Sequence, residues 1–173
     1  MDVMEAVRNR YSVRRYEDRP VEADKLERVL EAARLAPSAK NLQEWRFVVV
    51  QDAETRQRLI EAAMGQRFVG QAPVVIAACA VDADHVMPCG LPSFSIDVAI
   101  ALEHVALQAT AEGLGTCWIG AFDEAAVRKV LDIPEDVRVV DLMPLGYPAD
   151  EPRPKSRRAL SEIAMRERWE GGW

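Results

Sequence analysis

The sequence predicts one mixed helix-and-strand domain, of the α+β or α/β class. Three observations carry this. Helical and strand-like segments alternate along the chain. Two short apolar runs, Phe47-Val48-Val49-Val50 and Val74 to Val81, read as strands. The length of 173 residues suits a single core, and no repeat, low-complexity tract or linker divides it.

The elements follow in order. Asp2 can cap a short helix running to about Asn9. A loop, Arg10 to Tyr16, precedes Pro20 and a second helix over residues 22 to 35, whose Leu26, Val29, Leu30 and Ala33 form one apolar stripe. Pro37 stops it, and Pro37 to Asn41 reads as a turn-rich loop. A strand spans Arg46 to Gln51. Asp52 caps a third helix that ends at Gly65. The second strand, Val74 to Val81, is so continuously apolar that both its faces are expected to be buried.

Residues 82 to 94 have no period and read as a loop. A long helix then covers Ile96 to Glu112. Its Asp97, His104 and Gln108 make one narrow polar stripe on an otherwise apolar cylinder, which places it centrally or in a subunit interface. Gly113 and Gly115 end it. Thr116 to Gly120 is a short strand. Asp123 caps the next helix, with Phe122 and Val127 as a hydrophobic staple. Pro134 closes that helix, and Val137 to Leu145 is the last strand. Ala149 to Trp173 reads as an extended arm with a short helix or tail.

Composition excludes several functions. The net charge of −6 argues against nucleic acid as the main partner. The three cysteines, Cys79, Cys89 and Cys117, make no disulfide framework and suit a reducing, cytoplasmic setting. The N-terminus lacks a signal-peptide pattern, and no eighteen apolar residues run together, so no membrane span is expected. No P-loop, G-x-G-x-x-G or G-x-S-x-G occurs. His85 with Cys89 would make half a zinc site at best, and His104 reads as a hydrogen-bonded core histidine. Any reactivity is expected to come from a cofactor.

Two cation clusters run against the acidic average. Arg10 and Arg14 flank Ser12; Lys155, Ser156 and Arg157 sit far along the chain. Guanidinium forks and hydroxyls suit a phosphate. Composition alone favours the plainer reading, a solvated surface, and spacing alone cannot bring the two clusters together.

Four motifs in order resolve this by resemblance. Arg10-Tyr11-Ser12-Val13-Arg14 resembles the R-x-S-x-R/K opening of the nitroreductase family. Pro37-Ser38-Ala39-Lys40-Asn41-Leu42-Gln43-Glu44-Trp45 is similar to its P-S-x-x-N-x-Q-P-W. Gly113-Leu114-Gly115-Thr116-Cys117-Trp118-Ile119-Gly120 is similar to its G-L-G-T-C-W-I-G, and Leu145-Gly146-Tyr147-Pro148 with Lys155-Ser156-Arg157 to its closing pattern.

The resemblance implies an α+β fold with a central, mostly antiparallel sheet flanked by helices. It also implies a homodimer whose C-terminal arm wraps the partner. FMN would be bound in clefts between subunits. Arg10, Tyr11, Ser12, Lys155 and Arg157 would hold its phosphate and ribityl chain, and Arg14 would place a cation near flavin N1, where reduction leaves negative charge. Pro37, Ser38 and Asn41 would reach the flavin from the partner subunit. Ile119, Gly120 and Ala121 would lie beside N5, with Gly120 permitting close backbone approach.

The implied activity is ping-pong hydride transfer from NADH or NADPH to a small-molecule acceptor such as a nitroaromatic or quinone. Reductive dehalogenation, flavin cleavage, a sensory flavoprotein or a flavin-free domain are the rival readings. Glu44 departs from the family proline; a solvated surface glutamate is expected there. The 82–94 segment is short, so acceptor specificity does not carry over.

Overall fold

The computed structural model describes residues 1–173 and makes the class α+β: every ladder in the four-stranded sheet is antiparallel, in the order β1-β2-β4-β3. The strands are β1 (Trp45–Val50), β2 (Val74–Ala80), β3 (Gly115–Thr116) and β4 (Arg138–Gly146). The helices are α1 (Val3–Asn9), α2 (Ala23–Arg34), α3 (Ala53–Ala62), α4 (Arg67–Gln71), α5 (Ser93–Ala111), α6 (Glu124–Leu131) and α7 (Leu160–Ile163).

β2 is buried along its whole length because it runs between two cores. Its side chains alternate across the sheet. Val74, Ile76, Ala78 and Ala80 enter the core under α2 and α5. Val75, Ala77 and Cys79 enter the other, shared with Leu59 of α3 and Val127 of α6. Each fully buried large side chain, such as Ile76, Leu102 or Leu142, contributes about 1.5–3 kcal/mol.

Capping follows the sequence closely. Asp2 and Glu5 form a reciprocal capping box at α1, and Asp52 and Asp123 accept from Thr55 and Ala126 at the starts of α3 and α6. α5 ends in a paired wrap: Leu114 N–H reaches Ala109 O at 2.8 Å and Gly113 N–H reaches Thr110 O at 3.1 Å. Gly113 takes the left-handed backbone this needs, with φ of 75°. Phe122 packs on the same core as Val127, as a staple requires.

Four boundaries differ from expectation. α3 stops at Ala62, and Met64 and Gly65 turn the chain left-handed into the unforeseen α4. With five residues, no side-chain cap and a glycine, α4 has no period to read; it exists because Gly70 lets it lie on Gln57 and Ile60 of α3. α5 begins at Ser93, earlier than expected, because that hydroxyl has a buried partner described below. α6 ends at Leu131, ahead of Pro134, where Asp132 adopts a left-handed φ of 52°. β3 is only two residues, although the isolated bridge Ile119↔Leu142 keeps the same register across Cys117 and Trp118.

By length and composition alone α5 is long and apolar enough to cross a membrane, although no eighteen apolar residues run unbroken in the chain. In the fold its Val98, Ala101, Leu102, Val105 and Ala109 pack within the core that contains α2 and the sheet. His104 Nδ1 lies 3.1 Å from Ala32 O, the hydrogen-bonded arrangement expected of it.

The segment after α1 is zipped onto the sheet edge. Ser12 bridges Thr116 in parallel, Val13 N–H donates to Thr116 O at 2.9 Å, and Tyr16 bridges Pro148. Glu17 N–H then donates to Tyr147 O at 2.9 Å, and Ala149 N–H to Arg15 O at 2.8 Å. Two distant stretches of chain are thereby set side by side.

Candidate functional site

That pairing builds a cup. A pocket of about 540 Å³ is lined by Arg10, Tyr11, Ser12 and Arg14 on one wall and by Asp150 to Glu151 and Arg153 to Arg157 on the other. The two cation clusters, separate in sequence, face one cavity.

Val13 is the pin between the exposed side chains. It is wholly buried, and its methyl lies so close to Gly115 that a Cβ there would overlap it. Glycine is required at 115 by this close approach. Alternation along the extended segment then turns Ser12 and Arg14 together, opposite Val13.

Five cations (Arg10, Arg14, Arg153, Lys155, Arg157) face two carboxylates (Asp150, Glu151) in this lining. The crowding shows in Lys155, whose ammonium is pushed below its ordinary range by partial burial and by the charges of Arg10 and Arg157. Lys155 Nζ also donates to Arg8 O. Arg10 lies 3.8 Å from Glu103 of α5, and Arg14 Nη1 reaches Ser12 O at 3.4 Å. The uncommitted N–H donors with the hydroxyls of Ser12 and Ser156 have the chemistry to receive an anion such as a phosphate.

Asp150 was not foreseen. Its side chain accepts from Arg14 N–H at 3.1 Å and its carbonyl from Tyr11 Oη at 2.6 Å. An acid in a cationic cup carries no sequence signal, because its role is to tie the two walls. Burial and the Asp150 carboxylate push the Tyr11 phenol above its ordinary range. Glu151, Arg153 and Pro154 are further lining residues outside the expected set.

Pro37, Ser38 and Asn41 do not line this pocket of the same chain. Their loop is held in an unusual shape: Lys40, Asn41 and Gln43 have φ of 50°, 58° and 52°. Asp97, buried on α5, accepts Ala39 N–H on both carboxylate oxygens at 3.1 and 3.0 Å, and Ser38 Oγ accepts Gln43 N–H at 3.0 Å. Asp97 looked like part of a polar stripe; in the fold it is the anchor of this loop.

Ile119, Gly120 and Ala121 also lie outside the cup's lining. Ile119 is buried and accepts Leu142 N–H at 3.2 Å; Ala121 O accepts from Gln66 Nε2 at 3.0 Å. Gly120 is exposed, with nothing within 4 Å of where a Cβ would sit. Beside this segment Asp141 is buried, with Oδ1 unpartnered. Burial pushes its carboxyl up to about 8, and the Ile119 backbone N–H only partly counters that.

Glu44 corrects the expectation of a solvated side chain. It is 3% exposed, its Oε1 accepts from Ser93 Oγ at 3.0 Å, and its Oε2 has no partner. Trp45, beside it, is fixed in the core, and the carboxylate is drawn in by the hydroxyl at the start of α5. His85, considered as half a metal site, turns its Nδ1 to that same Ser93 at 3.1 Å.

Comparison with known proteins finds relatives that span most of the chain. The family model described as the Nitroreductase family matches residues 7–82 and 62–147. A protein of Thermus thermophilus named NADH dehydrogenase is 34% identical over 196 residues, covering 95% of this chain and 96% of its own. One of Bacillus subtilis named FMN reductase is 31% identical over 173 residues, covering 90% and 70%. The crystal structure of a nitroreductase family protein from Clostridium difficile superposes with a TM-score of 0.88 at 34% identity, covering 98% of this chain and all (100%) of that one.

Proposed function

The chain belongs to the nitroreductase family, and from that premise we propose that it is an FMN-dependent oxidoreductase using NAD(P)H to reduce a small oxidised acceptor. One observation carries the reading: Arg10, Ser12 and Arg14 meet Lys155, Ser156 and Arg157 around one pocket. Their charge and donor geometry fit a phosphate monoester dianion.

Arg10, Ser12, Lys155, Ser156 and Arg157 would hold the FMN phosphate. Tyr11 braces the cup with its hydroxyl committed to Asp150, leaving its backbone and ring edge for the ribityl chain. Arg14 would offer a cation to the pyrimidine side of the ring, where electron uptake concentrates negative charge. Ile119 to Ala121 would present backbone N–H toward N5, and the exposed Gly120 keeps that approach open. Bound FMN would supply two-electron transfer between NAD(P)H and the acceptor. The protein's part is position and fixed charge.

Pro37, Ser38 and Asn41 would complete the site from a second copy. The support is surface chemistry. Val3, Met4 and Val7 of α1, and Leu160, Ile163, Trp169 and Trp173 of the arm, are all exposed apolar side chains. Such a display suits an interface. Free Cys79, Cys89 and Cys117 suit a reducing cytoplasm.

Anaerobic stopped-flow tests the reading. The purified protein should be yellow and elute as a dimer. Its flavin should bleach with NADH or NADPH and recolour with a quinone or nitroaromatic. Colourless protein that stays colourless with FMN refutes the function. A flavin that no nicotinamide bleaches favours a sensory role.

A further inference from the structure

Of the side-chain ion pairs in the fold, one alone reaches a cation of the cup. Arg10 Nε lies 3.8 Å from Oε1 of Glu103, on α5. Glu103 is not in the cavity's lining, so it meets the guanidinium from outside the cup. No role assigned above uses it.

The neighbouring cations are steered by backbone oxygens. Arg14 Nη1 leans on Ser12 O, Arg157 Nη1 on Ser156 O at 2.7 Å, and Lys155 Nζ on Arg8 O. Arg10 leans on a carboxylate, and the carrier of that carboxylate is rigid. Leu102, Val105 and Ala106, beside Glu103 on α5, are wholly buried. Arg10 itself sits where α1 gives way to loop, its N–H donated to Ala6 O at 2.9 Å. The pair ties a loop cation to the central helix.

The distance decides what kind of contact this is. At 3.8 Å it is longer than a hydrogen bond, so Glu103 attracts the guanidinium without consuming its donors. The approach is closest on the Nε side, which leaves the four N–H of the two Nη groups for an anion. A second charge acts on the same fork: Arg10 and Lys155 repel each other across the cup. A carboxylate outside the cavity offsets that push and narrows the directions a long, flexible side chain can take. Fixing a group before its ligand arrives raises affinity without any new contact to the ligand.

We propose that Glu103 is a positioning residue for phosphate recognition, holding the Arg10 guanidinium so that its fork meets the incoming anion. The inference rests on the function proposed above. It runs against simple electrostatics, in which removing an acid beside a cationic cup tightens anion binding.

Two ligands and two variants test it. FMN and riboflavin differ by the phosphate alone, and both quench on binding, so fluorescence titration of the flavin-free protein reads the phosphate's share. Glu103→Gln should weaken FMN about three- to fivefold at low salt, the upper range for a half-exposed ion pair, and the effect should fade at high salt. Riboflavin affinity should stay as it was. Unchanged or tighter FMN binding overturns the proposal, and so does an equal loss for both ligands, which is what a merely structural role gives. Arg10→Lys supplies the cross-check. A lysine is a point charge with no fork to aim, so adding Glu103→Gln to that variant should weaken FMN no further. The same loss in both backgrounds overturns the proposal. Failure of the underlying reading looks different: unaltered protein that binds FMN no better than riboflavin, a result that removes the phosphate site and the positioning role together.

Discussion

Tyr11 Oη donates to the carbonyl oxygen of Asp150 at 2.6 Å, across 139 residues of sequence. The Asp150 carboxylate returns the contact by accepting Arg14 N–H at 3.1 Å. Together they hold the two cationic walls at a fixed separation, against the mutual repulsion of Arg10, Lys155 and Arg157.

Removing that acid should therefore weaken anion binding although it makes the cup more positive. Asp150→Ala removes the exposed hydrogen bond accepted from Arg14 N–H, a net loss of about 0.5–1.5 kcal/mol, and FMN affinity measured by fluorescence quenching should fall up to about tenfold. Tighter binding would show that net charge, not the tie, governs the site.

Arg14→Ala removes a cation without removing a tie between the walls. FMN should bind about 10–100-fold more weakly, in line with the loss of a charged hydrogen bond, and the bound flavin should have a lower reduction potential. Unchanged affinity and unchanged potential would refute the electrostatic role.

Gly115→Ala places a methyl against Val13. Overpacking of this kind costs about 1–3 kcal/mol. Calorimetry should show a lower melting temperature, and FMN affinity should fall with it, because displacing Val13 displaces Ser12 and Arg14. A stable variant with intact affinity would mean the loop is free to shift.

Asp141 sets a pH slope. Its carboxyl is raised from an ordinary 3.8 to about 8 by burial, so between those values the folded protein holds a proton that the unfolded chain releases. Stability contributed by this group is full below pH 3.8 and is lost as pH rises toward 8, at up to about 1.4 kcal/mol per pH unit. Asp141→Asn should flatten this part of a melting-temperature profile. A profile of unaltered slope would place the carboxyl's titration elsewhere.

Residues whose role is local were legible in the sequence. Asp2, Asp52 and Asp123 cap because a carboxylate three residues before an open N–H acts without help from the fold. The strands β1 and β2 declared themselves by composition, and the cation clusters by contrast with an acidic chain. Asp97, Asp150 and Glu44 did not. Each carboxylate is defined by a partner 58, 136 or 49 residues away, and burial decides whether such a group is solvated or an anchor. Asp141 belongs with them: a carboxylate in an apolar strand reads as a break until the sheet closes over it.

A cup whose walls come from opposite ends of a polypeptide cannot exist on a half-made one. While a ribosome is still adding β4, residues 10–14 have no counterpart to face, since Asp150 and Lys155 lie beyond that strand. A cofactor held by this pocket would therefore be loaded only after residues 150–157 have been made and have folded back. Any truncation that spares the sheet but removes residues 150–157 should leave a folded, colourless protein.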